Sequence, residues 1–204
     1  MSAPQIRRFR PTDRADVLDV CVRTGDSGGD ATGLFADPTL LPDVFAVPYL
    51  ELQPDLAFVV DTGERVSGYL IAAADTATWV RRYRDEYLPG FAERHPLPAE
   101  PTTREERVAW VGHHPERMIV HDLDRYPAHL HIDLLPEAQG QGLGRALIRA
   151  LLAALRDRGI AGVQLRYGEA NAGAGAFYRR LGFHPLPATP DDPYALAIES
   201  DAPV

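Results

Sequence analysis

The sequence predicts an α/β or α+β chain built around one mixed sheet. Two observations carry this expectation. In the first half, residues 56–60 and 66–72 are apolar strand patterns joined by the tight loop Asp61-Thr62-Gly63-Glu64, which reads as an antiparallel hairpin. In the second half, strand and helix patterns alternate from Ala128 to Ile198, the succession that lays strands side by side through helical crossovers.

Each element follows from its local pattern. Gln5 to Phe9 alternates as a short strand, Pro11 closes it, and Thr12 is placed to N-cap a helix through Ala15, Val17, Leu18, Val20 and Cys21. Residues 24–33 are turn formers without a period and read as an exposed loop, and a short amphipathic segment spans 38–50. After the hairpin, Trp79, Tyr83, Tyr87 and Leu88 are spaced for a helix running to Arg94, which Pro96, Pro98 and Pro101 then break. Thr102 and Thr103, each followed three positions later by Glu105 and Glu106, form a capping-box pattern that starts a helix through Val108, Trp110 and Val111. Residues 112–126 show no clear period.

Ala128 to Leu135 is a strand with Leu130, Ile132 and Leu134 on one face and His129, His131 and Asp133 on the other. From Leu143 the apolar positions Leu147, Ile148, Leu151, Leu152 and Leu155 make a broad helix face that ends at Gly159. Val163 to Tyr167 is a strand, Asn171 begins a helix closed by Gly182, and Tyr194 to Ile198 is a final strand.

With 45% hydrophobic and 25% charged residues in 204, no internal repeat and no composition break, residues 1–204 are expected to form a single domain. No run approaches the roughly 18 apolar residues of a membrane helix, and residues 1–10 lack a signal-peptide core, so a cytoplasmic protein without a membrane partner is expected. Cys21 is the single cysteine, which excludes intrachain disulfides and cysteine-based zinc sites. Histidines 113, 114, 121, 129 and 131 lack a compact ligand spacing, so no metal is expected. A formal net charge of −8 argues against nucleic acid as a partner.

The stretch Gln139-Gly140-Gln141-Gly142-Leu143-Gly144-Arg145 joins a strand to a long helix through alternating glycines. Such a turn exposes neighbouring amides at the positive end of a helix dipole, which suits a phosphate or pyrophosphate. Arg145, in the first helical turn, can add a donor. A P-loop requires Gly-Lys-Ser/Thr, and here Gly144 precedes Arg145-Ala146, so that motif fails. A dinucleotide fingerprint from Gly140 needs glycine or alanine at 145 and only half fits, with Glu169 as its ribose acid; a nicotinamide-dependent oxidoreductase stays open on that basis. A tight connection with no ligand is the other reading of the turn.

Leu134 to Gly144 resembles the acetyl-CoA pyrophosphate loop of the GNAT superfamily of N-acetyltransferases, and Asn171 to Phe183 is similar to that superfamily's other CoA motif. The two lie in the superfamily's order and spacing and cover Ala128 to Phe183. The resemblance implies a mixed, mostly antiparallel central sheet flanked by helices, here with a helical insert over residues 75–127 between the third and fourth strands. That insert, with Trp79 and Tyr83, and the loop at 24–33 make the chain look like the acetyltransferase-like C-terminal domain of O-GlcNAcases and its bacterial stand-alone relatives.

It further implies an acetyl-CoA-dependent N-acetyltransferase acting on a primary amine, small-molecule or peptide, by direct attack; the alternative is a CoA-binding pseudoenzyme or interaction module. Leu134 and Leu135 would serve the pantetheine arm and the oxyanion with backbone groups, Gln139, Gly140, Gln141, Gly142, Leu143, Gly144 and Arg145 would hold the pyrophosphate, and Asn171 and Phe177 would complete the cofactor site. Tyr178 matches the tyrosine that protonates the departing thiolate in many members. A phenol of pKa about 10 suits a thiolate near 8.5. Places that carry a glutamate or histidine base in some members are Ala128 and Leu130 here, which leaves Asp133 as the first candidate base and His131 as the second. Asp26, Asp30 and Trp79 are candidate acceptor-pocket residues, and dimers are common among look-alikes.

Gly142→Trp is expected to abolish acetyl-CoA binding in calorimetry; unchanged affinity would remove the cradle assignment.

Overall fold

The computed structural model describes residues 3–120, 122–186 and 194–204. Among these, seven strands form one sheet: β1 (Gln5–Arg8), β2 (Ala57–Asp61), β3 (Val66–Ala73), β4 (Ala128–Leu134), β5 (Gly162–Arg166), β6 (His184–Pro185) and β7 (Ala195–Glu199), in the order β1-β2-β3-β4-β5-β7-β6. All neighbours are antiparallel except β4 and β5. The mixed, mostly antiparallel sheet expected from the sequence is therefore present, with the short β6 as an addition.

Helices cover both faces. On one lie α1 (Arg14–Arg23), α2 (Leu40–Phe45) and α3 (Val47–Leu52), together with the elements between β3 and β4: α4 (Thr76–Arg82), a π-helical turn (Tyr83–Tyr87), α5 (Leu88–Arg94) and α6 (Arg104–His113). On the other lie α7 (Leu143–Arg156) and α8 (Ala172–Arg180). Along α7, Leu147, Ile148, Leu151, Leu152 and Leu155 are each at most 1% exposed. Each such side chain contributes about 1.5–3 kcal/mol relative to exposure, which anchors the helix that follows the glycine turn. No helix among the described residues is long and apolar enough to cross a membrane.

Three local expectations are corrected. Thr12 does not cap α1; a 3-10 turn, Pro11–Asp13, comes first, and Asp13 accepts the Arg10 amide at 2.7 Å. Arg7 then holds Asp13 through both terminal nitrogens, at 2.6 and 2.8 Å, and Asp61 through Nε at 2.6 Å, tying β1 to β2 and to the start of α1. Residues 38–50 are not amphipathic: α2 and α3 are buried almost throughout, because the insert covers their outer side. The Tyr87 hydroxyl donates to the Asp43 carbonyl at 2.7 Å, and Glu105 accepts the Ala36 amide at 3.1 Å. Of the two capping-box patterns, Thr103 with Glu106 forms the box and Glu105 serves this contact.

The insert is organised by rings four residues apart: Trp79, Tyr83, Tyr87 and Phe91, with centroids 5.1, 5.0 and 6.2 Å apart in sequence order. In a regular α-helix a four-residue spacing drifts by about 40° per step. The wider π turn takes up that drift and keeps the rings on one side. Phe91 ends the row against Gly112 of α6, where a Cβ would stand 2.3 Å from the ring.

Phe91→Ala is expected to cost about 3–5 kcal/mol in denaturant unfolding. A single transition is expected because the ring row joins α4–α6 to the sheet core; a separate early transition would mean that the insert unfolds by itself.

Candidate active site

The site is created where β4 and β5 part. Their parallel ladder covers Ala128 with Val163 and His129 with Gln164, while β4 continues to Leu134 and β5 to Arg166. Each strand is held on its other edge, β4 by β3 over six residues and β5 by β7 over five. The Leu135 amide donates to the Ser67 carbonyl at 2.9 Å. Alternation along an antiparallel ladder then turns the backbone groups of Asp133 and His131 toward β3, and those of Leu134 and Ile132 toward the gap. Of the two amides expected to serve the reacting carbonyl, that of Leu135 is thus committed to the sheet and that of Leu134 faces the opening.

A cleft of about 570 Å³ runs from this edge to the glycine turn. Gly140 and Gly142 adopt left-handed backbone angles, φ 71° and 77°, and a Cβ at either would meet no atom within 4 Å, so the turn faces open space. Gly142 caps α7 without any side-chain hydrogen bond, and the first helical bond is Ala146 to Gly142. The amides of Leu143, Gly144 and Arg145 therefore have no helical acceptor and point out of the N-terminus of a 14-residue helix. Arg145 and Arg180 both line the cleft. This arrangement fits a diphosphate carrying a long arm. Gly144 has a different duty: a Cβ there would stand 3.0 Å from the Phe177 ring, so this glycine lets α8 approach α7.

The Gln139 side chain donates to the Leu134 carbonyl at 2.9 Å and pins the turn to β4. Asn171 caps α8 by accepting the Ala174 amide at 3.1 Å while lining the cleft. Asp133 and Tyr178 line its inner end. Burial pushes the Asp133 carboxyl above its ordinary range, and the Tyr69 and Thr24 hydroxyls beside it act in the opposite sense; Tyr69 donates to it at 2.7 Å. Burial, and then the charge of Asp133, push the Tyr178 phenol up, so it stays protonated.

A second cleft, about 400 Å³, opens farther back along the same strand edge. His129, His131 and Trp79 line it. His129 is satisfied on both nitrogens, by Thr76 at 2.8 Å and Tyr49 at 2.9 Å. His131 sits among the Phe45 and Tyr49 rings, centroids 6.1 and 5.2 Å away, and makes no hydrogen bond among the described residues. Burial lowers its pKa to about 4, and burial, then the neighbouring His131, also holds His129 well below the usual imidazole range.

Asp26 and Asp30 do not belong to an acceptor pocket. Asp26 pairs with Arg104 at 2.7 Å, and Asp30 accepts the Thr32 amide at 2.8 Å on the exposed side of the loop. The loop contributes Thr24, Ser27 and Gly28 to the first cleft instead. The first-cleft position of Arg180 was also missed; its sign in the sequence is the basic last turn of α8. His113 bonds the His95 carbonyl, and His114 stacks on Trp110 while lining the second cleft with His129 and His131; His121 lies outside the described residues.

A strand pair splayed over an amide cradle defines the class, and the chain belongs to the GNAT superfamily of acetyltransferases. The family described as "Acetyltransferase (GNAT) domain" matches residues 99–185. The crystal structure of SsHAT is 45% identical, aligns over 98% of this chain and 100% of its own, and gives a TM-score of 0.92. The protein O-GlcNAcase of Rattus norvegicus is 22% identical over 182 residues, 87% of this chain and 20% of that protein, so the chain spans about a fifth of the O-GlcNAcase length. A GNAT family acetyltransferase from Brucella melitensis, solved with acetyl-CoA, shares the fold at 19% identity over 98% of this chain and 90% of its own, with a TM-score of 0.50.

The His131 imidazole is expected to titrate near pH 4 in NMR. A depressed histidine pKa makes the folded state bind fewer protons than the unfolded chain between pH 4 and 6.5, so stability should rise with pH across that window. His131→Gln should flatten the rise.

Proposed function

We propose that this chain is an acetyl-CoA-dependent N-acetyltransferase that passes the acetyl group directly to a primary amine. The observation that carries this reading is the meeting of two clefts at one unpaired strand edge, one with a diphosphate cradle and the other ringed by aromatic and imidazole groups. When bound, acetyl-CoA supplies an activated acyl carbon.

The chain does the rest by position. The 140–145 amides with Arg145 and Arg180 hold the diphosphate, and the β4 edge from Ile132 to Leu134 lays the arm toward the gap. The Leu134 amide is placed where negative charge develops on the carbonyl oxygen. Tyr178, kept protonated by burial, gives its proton to the departing thiolate. Asp133 faces the cofactor cleft with Tyr69 as partner, whereas His131 faces the acceptor cleft with its ring nitrogens unengaged, so the proton leaving the amine is assigned first to His131 and then to Asp133.

Tyr178→Phe should bind acetyl-CoA with wild-type affinity in calorimetry while slowing amine-dependent thiol release by about 10²-fold or more. His131→Ala should lower the same rate more than Asp133→Asn does. Acetyl-CoA binding without thiol release for any amine would leave the CoA-binding module as the function.

A further inference from the structure

One buried hydroxyl both closes the insert and reaches β4. The two ends of the insert meet where the Pro127 carbonyl accepts the Thr76 amide at 2.7 Å, with the Thr76 hydroxyl at 2.8 Å. The same Thr76 oxygen stands 2.8 Å from Nδ1 of His129, whose Nε2 is 2.9 Å from the Tyr49 hydroxyl. The Tyr49 oxygen in turn lies 3.7 Å from the Met118 sulfur. Thr76, Tyr49 and His129 are each at most 2% exposed, so water does not compete for these bonds.

The chain closes with its hydrogens in either direction. When Thr76 donates to Pro127, His129 donates from Nδ1 and accepts the Tyr49 hydrogen at Nε2. When Thr76 donates to Nδ1, His129 donates from Nε2 and the Tyr49 hydrogen turns to the weaker sulfur acceptor. In both arrangements a neutral His129 has its two nitrogens served, and the Tyr49 ring is tied at its far end.

That ring supports His131. Their centroids are 5.2 Å apart at 79°, and Phe45 approaches from another side at 6.1 Å and 71°. With no hydrogen bond of its own among the described residues, His131 is free to turn about its outer side-chain bond, so packing alone sets where its nitrogens aim. Among the described residues, the titratable or charged side chains around the two histidines come from every side. They are Tyr49 of α3, Tyr83 of the π turn, His114 and Arg117 after α6, Arg166 of β5, and Asp133 on β4 itself. From β3 the paired residues are Ile71 and Ala73, which carry no charge.

Resting on the transferase reading above, we infer that Thr76, His129 and Tyr49 are positioning residues for His131. Their hydrogen-bonded chain anchors the ring that aims the imidazole at the amine, and it makes that aim depend on closure of the insert. In the transfer, the amine nitrogen bonds the acetyl carbon as the carbon–sulfur bond breaks; one amine proton goes to His131 and the thiolate takes the Tyr178 proton. A displacement of about 1 Å in such a group is worth up to about 10²-fold in rate.

The test uses the full chain with Thr76→Val, which keeps the shape and removes the hydroxyl, Thr76→Ser, which keeps the hydroxyl, and Tyr49→Phe. Thiol release from acetyl-CoA is followed with spermidine, 4-aminobenzoate and a tetrapeptide with a free α-amino group, acetyl-CoA binding by calorimetry, and His131 by NMR titration. Thr76→Val and Tyr49→Phe should lower kcat about tenfold or more at wild-type acetyl-CoA affinity, while Thr76→Ser stays within about twofold of wild type. Burial is what holds the His131 pKa at about 4, so a supporting ring that gives way and admits water should let it rise toward 6.5 in the first two variants and not in Thr76→Ser. A merely structural role would lower stability without moving that midpoint in the folded protein. An unchanged kcat or an unchanged His131 midpoint in Thr76→Val, or a defect in Thr76→Ser as deep as that in Thr76→Val, overturns the inference. Wild-type protein that releases no thiol with any of these amines loses the transferase reading instead, and the His131 midpoint then decides by itself whether the chain positions that ring.

Discussion

Everything functional in this molecule depends on β4 being paired on one edge and open on the other. A backbone edge inside a folded protein is costly unless its donors and acceptors find partners. Here β3 satisfies one side of β4 over six residues, β7 draws β5 away over five, and the two parallel strands keep contact at only two pairs of positions. The groups left facing the gap are the Ile132 and Leu134 main-chain atoms, of which the Leu134 carbonyl is taken by Gln139. That single splay sets the glycine turn of α7 at one end of the edge and the aromatic cleft at the other.

The two clefts differ electrostatically although they share a strand face. Asp133 and His131 are two residues apart and point the same way, yet one accepts a tyrosine hydroxyl beside the first cleft and the other lies among the Phe45 and Tyr49 rings. Burial raises the carboxyl and lowers the imidazole, so both are drawn toward their uncharged forms by one cause. A net charge of −8 says nothing of this, because the acids sit elsewhere: Asp26 on Arg104, Glu116 on Arg84, Asp13 and Asp61 on Arg7.

Much of the fold was legible in the sequence wherever a rule acts over a few residues. The α7 stripe, the Thr103–Glu106 box, the Asn171 cap and the face alternation of β4 were all read from spacing, and each stands as expected. The glycine turn was also legible, though Gly144 serves helix packing against Phe177 and only Gly140 and Gly142 supply the left-handed angles. The segment at 38–50 was misread because its outer side is covered by a helix about 60 positions later, and Asp26 because its partner, Arg104, is 78 positions away.

By itself the sequence determined most of the strands, the long α7 and the glycine turn before it, since capping, periodicity and left-handed glycine angles are properties of neighbouring residues. The tertiary structure alone decided which β4 amide faces the gap, which loop residues reach the first cleft, and that aromatic rings line the second. Those outcomes turn on strand register, solvent exclusion and partners far apart along the chain. None of these leaves a local pattern to read.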